Sequence, residues 1–241
     1  MKAVLLAGGT GTRLRPLTNL INKHLLPVGD RPMIAHAIDK LKQAGITDIL
    51  LVTGRSSAGW FTSYLGSGKD EDVSLTYRIQ EEAGGIAQAL ALAEPFIGTD
   101  DKFVVQLGDN LYEESLRPHL EAFRQQASGA LVLLKQVEDP KRYGVPVFDA
   151  SGGRIVRIEE KPAKPACDLC VTGIYMYSSD VFSRIQDIRP SARGELEITD
   201  VNNAYAASGE LSHRLLSGWW TDAGTFDSLH EAAQLVRGGR R

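Results

Sequence analysis

Short apolar runs alternate with amphipathic stretches along the first half of this chain. Residues 3–7 and 48–53 are largely apolar and have the length of strands. Between them, residues 33–44 place apolar side chains on one helical stripe, with Pro32 at the start and Gly45 just past the end. Strands that alternate with amphipathic helices are typical of a parallel sheet with crossover helices. The pattern therefore predicts an α/β fold whose first half is doubly wound.

The same pattern continues with further strands and helices between residues 86 and 236. The further strands predicted over the whole chain are residues 103–107, 130–137, 154–160, 171–177 and 211–217. The further helices are residues 86–94, 114–126, 180–185, 197–208 and 226–236, and the tail at 237–241 is expected to fray. Since no repeat or linker divides the chain, we predict one three-layer α/β/α domain with a mixed, mostly parallel, Rossmann-like central sheet and an added hairpin.

Composition narrows the class of protein. The chain has 241 residues, 43% of them hydrophobic, which is enough for a sizeable core. Lys and Arg number 27 against 30 Asp and Glu, so no basic face for nucleic acid is expected, although a local cluster can still bind a small anion. Glycines interrupt the apolar start before it reaches the length of a signal peptide or membrane span, which predicts a cytoplasmic protein without a membrane segment.

Cys167 and Cys170 form a single C-x-x-C pair. A zinc site needs a second pair of ligands, and a redox motif needs a helix after the first cysteine, whereas residues 171–177 are predicted to form a strand. We therefore expect both cysteines to be structural.

The loop Gly8-Gly9-Thr10-Gly11-Thr12-Arg13 follows the first predicted strand. Such a loop exposes backbone N–H groups that can surround phosphate oxygens. It lacks the Gly-Lys-Ser/Thr ending of a Walker loop, and Leu14 stands where a dinucleotide loop has a third glycine. Arg13 and Lys23 add two cations suited to a triphosphate. A simple strand-to-helix turn is the alternative.

Two aspartates are candidate metal ligands. Asp109 follows a buried strand at its carboxyl end, where open α/β sheets bind ligands, and Asp222 lies in a predicted turn before the last helix. Two carboxylates from separate loops can hold one Mg²⁺ ion for phosphoryl chemistry. Each aspartate also suits a turn or a helix cap, so that alternative stays open.

A series of motifs in one order covers nearly the whole chain, and by these motifs it resembles the sugar-phosphate nucleotidyltransferases. The motifs are LLAGGTGTRLRPLT at residues 5–18, KHLLPV at 23–28, PMI at 32–34, QEEAGGIAQA at 80–89, LGDN at 107–110, RYGV at 142–145, EEKP at 159–162, TGIY at 172–175, RGELEITDVN at 193–202 and DAGT at 222–225.

The resemblance implies a role for each matching residue. The nucleotide would be bound by Leu6, Gly8, Gly9, Gly11, Thr12, Arg13, Gln80, Gly85 and Asp109, and the sugar phosphate by Tyr143, Gly144, Glu160, Lys161, Thr172, Gly173 and Arg193. Asp109 and Asp222 would hold Mg²⁺, and the catalytic set would be Arg13, Lys23, Asp109, Lys161 and Asp222. Residues 1–130 would then be mainly the nucleotide-binding half and residues 131–241 mainly the sugar-phosphate-binding half.

The family reaction implied is in-line attack by a sugar 1-phosphate on the α-phosphorus of a nucleoside triphosphate, with release of pyrophosphate. dTTP and glucose 1-phosphate are favoured as substrates, and UTP is the nearest alternative because Gln80 can read an edge that both pyrimidines share. A non-catalytic regulator that binds nucleotide sugars is less favoured because both aspartates are present. A dinucleotide-dependent oxidoreductase is disfavoured by Leu14.

Other features leave alternatives open. Residues 159–161 also suit a solvated charge run, Arg193 also suits a pair with Glu195 or Glu197, and Tyr143 also suits plain packing. Residues 81–83, Glu-Glu-Ala, replace the Pro-Ser-Pro found in many family members, so base choice is less determined than reaction type. A homo-oligomer is a family expectation. The chain ends soon after the Asp222 motif, so the feedback site of longer relatives is not expected.

Overall fold

The computed structural model of this chain describes residues 1–99 and 101–238. Within these residues the strands are β1 (Lys2–Ala7), β2 (Pro27–Val28), β3 (Arg31–Pro32), β4 (Asp48–Gly54), β5 (Ser74–Gln80), β6 (Lys102–Leu107), β7 (Asn110–Tyr112), β8 (Ala130–Gln136), β9 (Gly144–Phe148), β10 (Ile155–Glu160), β11 (Leu169–Ser178), β12 (Leu211–Leu215) and β13 (Trp220–Asp222). The α-helices are α1 (Met33–Gln43), α2 (Ala58–Leu65), α3 (Ile86–Ala91), α4 (Glu94–Ile97), α5 (Arg117–Gln125), α6 (Val181–Asp187), α7 (Ile198–Ser208) and α8 (Phe226–Gly238). The predicted α/β class is confirmed, with a mixed, mostly parallel sheet flanked by helices.

The described residues form two compact units with interleaved chain segments. The first unit contains residues 1–83, 106–118 and 218–238, and the second contains residues 84–99, 101–105 and 119–217. The units do not follow the predicted division at residue 130, because the last helix belongs to the first unit. Whether the chain behaves as one domain stays a prediction.

The first unit is built on the parallel strands β1, β4 and β5. The register pairs Ala3 with Ile49 and continues to Ala7 with Thr53, so each strand end carries the following loop to the same edge. Helix α1 begins directly after Pro32 and buries the apolar stripe that the sequence predicts. Strand β5 was not predicted, since its side chains are mostly exposed or half-buried and lack a continuous apolar run.

A short antiparallel pair, β7 and β13, completes the first unit. Trp220 lies opposite Tyr112, and Asp222 lies opposite Asn110. Helix α8 packs behind this pair through a small apolar cluster that contains Val28, Met33, Leu111, Ala223 and Ala232. The cluster fixes the turn that carries Asp222.

In the second unit, β11 pairs antiparallel with β8, and β12 pairs parallel with β8. The predicted added hairpin is confirmed as β9 and β10, which pair antiparallel. Helix α7 packs on the sheet with Tyr205, whose ring centroid lies 5.9 Å from that of Tyr177. The stacked rings anchor the helix that begins just after residues 193–197.

Several element boundaries differ from the predictions. The predicted helix at 86–94 ends earlier, since α3 stops at Ala91 and a second short helix, α4, begins at Glu94 with Pro95 in its first turn. Helix α5 begins at Arg117, three residues later than predicted, after Ser115 accepts a hydrogen bond from the Arg117 N–H. Helix α8 runs to Gly238, so the tail is helical at 237 and 238, and residues 239–241 of the predicted frayed tail lie outside the described residues.

Cys167 and Cys170 are both free thiols. Cys170 is buried within β11, which agrees with the prediction of a strand here and with a structural role. Separately, no helix in the described part of the chain combines the length and apolar character needed to cross a bilayer.

The buried face of β1 sets the stability of the first unit. Replacing Leu5, which is fully buried, by alanine leaves a cavity that close-packed neighbours fill only in part. We expect Leu5→Ala to lower the free energy of unfolding by about 2–5 kcal/mol in urea denaturation. The matched variant Leu20→Ala, at a side chain that is 84% exposed, should change it by less than about 0.5 kcal/mol. Equal effects of the two variants would contradict the placement of the core.

Candidate active site

The glycine loop leaves β1 at Ala7 and has a fixed conformation. Gly11 adopts a left-handed backbone conformation with φ of 64°, and its carbonyl accepts a hydrogen bond of 2.8 Å from the Thr18 hydroxyl. A Cβ atom on Gly11 would lie 2.9 Å from Cγ2 of Thr18, so a side chain is excluded there. A short 3₁₀ helix at Thr12–Leu14 follows, so the alternative of a strand-to-helix turn stays open.

The start of the loop lies beside the residue predicted to read the base. Gln80 is buried at the end of β5, and a Cβ atom on Gly8 would lie 2.5 Å from its Oε1 atom. Leu6 is buried in β1, and its carbonyl accepts a hydrogen bond of 2.9 Å from the Gly108 N–H. Gly8 and Gln80 are thus brought together, whereas Leu6 is part of the sheet.

A buried ion pair joins Lys23 and Asp109. The Lys23 ammonium donates a hydrogen bond to Oδ2 of Asp109, and these side chains are only 13% and 9% exposed. The Asn110 amide donates a bond of 3.1 Å to Oδ1 of Asp109. Burial by itself raises the pKa of Asp109, but the charge of Lys23 and these hydrogen bonds hold that pKa well below its ordinary value. Asp109 is therefore an ionised carboxylate at neutral pH.

The pairing of β7 with β13 brings Asp222 next to this ion pair. Asp222 lies opposite Asn110, and the Ala223 N–H donates a hydrogen bond of 2.9 Å to the Asp109 carbonyl. The Asp222 side chain is 17% exposed, with Nη2 of Arg13 3.9 Å from its Oδ2 atom. The two predicted metal ligands therefore occur on neighbouring strand ends within the first unit.

The chemistry of Asp109 and Asp222 fits Mg²⁺. Magnesium is usually held by one or two carboxylates and completes its shell with water and substrate phosphates. Within residues 1–99 and 101–238, no group of three or more His, Cys, Asp or Glu side chains is placed to hold a metal ion. The remaining ligands of an ion bound here would accordingly be water and phosphate oxygens.

His24 is a buried residue of this site that the sequence reasoning missed. Its Nδ1 atom lies 2.8 Å from Oδ1 of Asn22, and a Cβ atom on Gly108 would lie 2.8 Å from its Cδ2 atom. Burial, followed by the charge of Lys23, lowers its pKa to about 3, so the ring is neutral. Its position in the KHLLPV motif was the available signal. It was not singled out, because the histidines of the chain lack the spacing that metal ligands have.

The second unit contains a cavity that is lined by some of the predicted sugar-phosphate residues. The cavity has a volume of about 380 Å³. It is lined by Glu160, Lys161, Ser191, Ala192, Arg193, Glu197, Thr199 and Asp200. Three of the predicted residues, Glu160, Lys161 and Arg193, are therefore brought together.

Both cations of the cavity are held by carboxylates. Nζ of Lys161 lies 3.0 Å from Oε1 of Glu160, and Nη2 of Arg193 lies 2.8 and 3.0 Å from the two carboxylate oxygens of Glu197. The hydrogen bonds to Glu197 raise the pKa of Arg193. Lys161 also has a left-handed backbone, with φ of 46°, which is uncommon for a residue with a side chain and typical of functional sites. The alternative that Arg193 pairs with a nearby glutamate is confirmed.

The other predicted sugar-site residues do not line the cavity. Gly144 lies opposite Glu160 in the hairpin, and the Tyr143 carbonyl accepts a hydrogen bond of 3.0 Å from the Lys161 N–H. Thr172 is fully buried and donates its hydroxyl to the Leu133 carbonyl at 2.9 Å.

Gly173 follows Thr172 in β11, and Gly85 lies at the start of α3. Gly85 has φ of 101°, and a Cβ atom on it would lie 2.4 Å from the Leu196 carbonyl oxygen. The roles proposed for Thr172, Gly173 and Gly85 stay predictions.

Glu197, Thr199 and Asp200 line the cavity and were not predicted as site residues. The i, i+4 spacing of Arg193 and Glu197 was a usable signal, whereas nothing in the sequence marks the Thr199 hydroxyl, which donates to Oε2 of Glu160 at 2.6 Å. Burial and the charges of Glu197 and Glu160 raise the pKa of Asp200.

The first unit combines a glycine-rich loop, two cations and a neighbouring pair of carboxylates, and the second unit contains a charged cavity; both sets of groups suit the binding of phosphate esters. Residues 2–238 match the family described as nucleotidyl transferase, and the chain belongs to that family. The resemblance predicted from the motifs is thereby confirmed.

Named relatives support an enzyme of one particular kind. The chain is 45% identical to a glucose-1-phosphate thymidylyltransferase of Neisseria meningitidis serogroup A, over 98% of this chain and 83% of the relative. It is 42% identical to the same-named protein of Mycolicibacterium smegmatis, over 98% and 82%. The chain is therefore a glucose-1-phosphate thymidylyltransferase-like nucleotidyltransferase, and the prediction of an enzyme is confirmed.

Solved structures agree with this family. A candidate glucose-1-phosphate thymidylyltransferase from Bacillus anthracis, crystallised with sucrose, superposes with a TM-score of 0.93 at 55% identity and covers 98% of this chain and 95% of that one. A UDP-glucose pyrophosphorylase in complex with UDP-glucose superposes with a TM-score of 0.84 at 26% identity, over 100% and 99% of the two chains.

The neutral state of His24 predicts a dependence of stability on pH. The unfolded chain takes up a proton at this histidine below its ordinary pKa of 6.5, whereas the folded chain does so only near pH 3. The unfolded state thus binds more protons between these values, so the free energy of unfolding should fall as the pH falls from about 6.5 toward 3.

Urea denaturation at a series of pH values checks this expectation. His24→Gln should flatten the slope over that window, and His230→Gln, at an exposed histidine, should leave it unchanged. A slope that is unchanged in His24→Gln would show that other groups cause the acid sensitivity.

Proposed function

We propose that this chain condenses dTTP with glucose 1-phosphate to give dTDP-glucose and pyrophosphate, with the assistance of Mg²⁺. The observation that carries the proposal is the neighbouring pair of carboxylates, the buried Asp109 and the half-buried Asp222, in the unit that also contains the glycine loop and its two cations. The names of the relatives support the choice of substrates.

The reaction is an in-line displacement at the α-phosphorus. A non-bridging oxygen of the sugar 1-phosphate attacks, the bond from the α-phosphorus to the bridging oxygen breaks, and pyrophosphate leaves. The attacking oxygen is already anionic, so no general base is required, and catalysis depends on positioning and on charge neutralisation. When bound at Asp109 and Asp222, Mg²⁺ supplies positive charge at the phosphate oxygens.

The residues of the first unit act on the triphosphate. The backbone N–H groups of the glycine loop surround its oxygens, and Arg13 and Lys23 neutralise the charge that develops on the departing pyrophosphate. Gln80 offers both a donor and an acceptor to the edge of a pyrimidine.

The residues of the second unit act on the sugar 1-phosphate. Lys161 and Arg193 hold its phosphate, and Glu160 accepts hydrogen bonds from its hydroxyl groups. The carboxylates of Glu160 and Glu197 hold these two cations in place in the free protein, which limits the rearrangement needed on binding.

UTP is the alternative nucleotide. The likeness to a UDP-glucose pyrophosphorylase at 26% identity supports this alternative, since Gln80 can read an edge common to both pyrimidines. A non-catalytic regulator is disfavoured because both carboxylates are present. A homo-oligomeric state and a cytoplasmic location stay predictions.

A matrix of triphosphates against sugar 1-phosphates tests the proposal. Pyrophosphate release with Mg²⁺ should be fastest for dTTP with glucose 1-phosphate, slower with UTP, and slower again with an amino-sugar 1-phosphate. A preference for UTP would replace the nucleotide assignment and keep the reaction. Turnover with none of the pairs would contradict the proposed function.

Loss of one proposed metal ligand should abolish most of the activity without unfolding the protein. Asp109→Asn keeps the shape of the side chain but removes the charge and replaces one accepting oxygen by a donating amide, and we expect kcat to fall by about a hundredfold or more. Asp72→Asn is the matched control, because its carboxylate is 85% exposed and pairs with Lys42 at the surface, and it should keep normal turnover. Near-normal turnover of Asp109→Asn would show that the metal assignment is wrong.

A further inference from the structure

The two proposed metal ligands already have cationic partners, and these partners are the two cations proposed for the triphosphate. Lys23 donates to Asp109, and Arg13 lies 3.9 Å from Asp222. The first pair is sequestered and the second is looser, since the Arg13 side chain is about half exposed. In the ligand-free protein, the carboxylates proposed to bind the metal are therefore paired with the cations proposed to bind the triphosphate.

The position of Lys23 allows its ammonium to serve either partner. A Cβ atom on Gly9 would lie 3.4 Å from Cε of Lys23 and 3.7 Å from its Nζ, and one on Gly11 would lie 3.1 Å from its Cβ. The side chain thus runs directly against the glycine loop on its way to Asp109. Rotation about its terminal bonds would transfer the ammonium between Asp109 and a phosphate held by the loop.

Arg13 occupies a position similar to that of Lys23, because Gly224 has no side chain. A Cβ atom on Gly224 would lie 2.7 Å from Nη2 of Arg13 and 2.7 Å from Oδ1 of Asp222. The absence of a side chain here lets the guanidinium approach the carboxylate. Arg13 belongs to the glycine loop itself and lies 3.9 Å from Asp222, so its guanidinium is within reach of that carboxylate and of the loop proposed to hold phosphate.

This arrangement makes either ligand unfavourable without the other. A divalent cation that reaches Asp109 must displace the Lys23 ammonium, which would then be left without its anionic partner in a largely buried place. A triphosphate that attracts Lys23 leaves the Asp109 carboxylate uncompensated. Leaving one member of a sequestered pair alone is costly, because its desolvation is no longer balanced.

We infer that Lys23 is an exchange residue that couples the binding of the triphosphate to the binding of the divalent cation. The triphosphate takes Lys23 and Arg13, and the cation takes Asp109 and Asp222, so each ligand removes the competitor of the other. Such coupling is reciprocal and amounts to about 5–150-fold in affinity in typical proteins. The inference rests on the proposed function for the identity of both ligands, but it concerns binding and not turnover.

The metal half of the coupling is tested with Mn²⁺ alone, without nucleotide, by electron paramagnetic resonance. We expect weak binding to the wild-type protein and binding at least about tenfold tighter to Lys23→Met, in which Asp109 has lost its internal cation. Lys42→Met is the matched control, because it removes the same charge from a surface pair with Asp72. It should bind Mn²⁺ as the wild type does, and Lys23→Met/Asp109→Asn should lose the gain.

The nucleotide half is tested with dTTP in EDTA by calorimetry. Asp109→Asn should bind dTTP several-fold tighter than the wild type, because Lys23 no longer has a competing anion. Asp72→Asn should show no gain. In the Lys23→Met background the gain from Asp109→Asn should largely disappear, since a double-variant cycle isolates the interaction between the two residues.

The results separate the coupling from the proposed function. Far-ultraviolet circular dichroism establishes that each variant is folded, and the Asp109→Asn arm decides the question if Lys23→Met does not fold. The coupling would be overturned if folded Lys23→Met bound Mn²⁺ no more tightly than Lys42→Met. It would also be overturned if the gain in dTTP affinity from Asp109→Asn were undiminished in the Lys23→Met background. Turnover by the wild-type enzyme is measured in a separate experiment. The coupling can therefore fail while the proposed function stands, and the proposed function can fail while the coupling stands.

Discussion

The ion pair between Lys23 and Asp109 is the interaction on which the arrangement of the candidate active site depends. A carboxylate that is 9% exposed needs a cation and hydrogen-bond donors, because an uncompensated buried charge costs several kcal/mol. Strand β6 delivers Asp109, the KHLLPV segment delivers Lys23, and Gly9 and Gly11 leave room for the lysine stem. The glycines of the loop thus have a packing reason besides their ability to surround phosphate.

In the second unit, too, each cation of the cavity is paired with a carboxylate in the ligand-free protein. Lys161 is held by Glu160 and Arg193 by Glu197. An anionic substrate at these cations exchanges partners with a carboxylate that is already there, so its net gain is smaller than the number of contacts suggests. What the arrangement contributes instead is orientation, since the planar guanidinium of Arg193 is fixed by two hydrogen bonds before any ligand arrives.

The sequence predicted local features well and distant pairings poorly, for a physical reason. The strand at 3–7 and the helix at 33–44 have strong periodic patterns, and both occur within about a residue of their predicted bounds. That Asp109 and Asp222 are neighbours depends on the pairing of β7 with β13, which are over a hundred residues apart, and only the motif order hinted at it. Strand β5 was missed because a half-exposed strand carries a weak signal. The partner of Arg193 was left open between Glu195 and Glu197 because surface charges also carry a weak signal.

The segment after Gln80 also shows how structure can restore what a sequence lacks. The rigid prolines of many family members are absent here, yet the Gly84 N–H donates to Oε1 of Gln88 at 3.0 Å and the Gly84 carbonyl accepts from the Leu196 N–H at 2.8 Å. The Leu196 carbonyl in turn accepts from the Ala87 N–H at 3.1 Å. Hydrogen bonds therefore restrain this segment in place of proline rings, and they end on the stretch that carries Arg193. A change that loosens residues 84–88 in this chain should for that reason also disturb the stretch that carries Arg193, the residue proposed to hold the sugar phosphate.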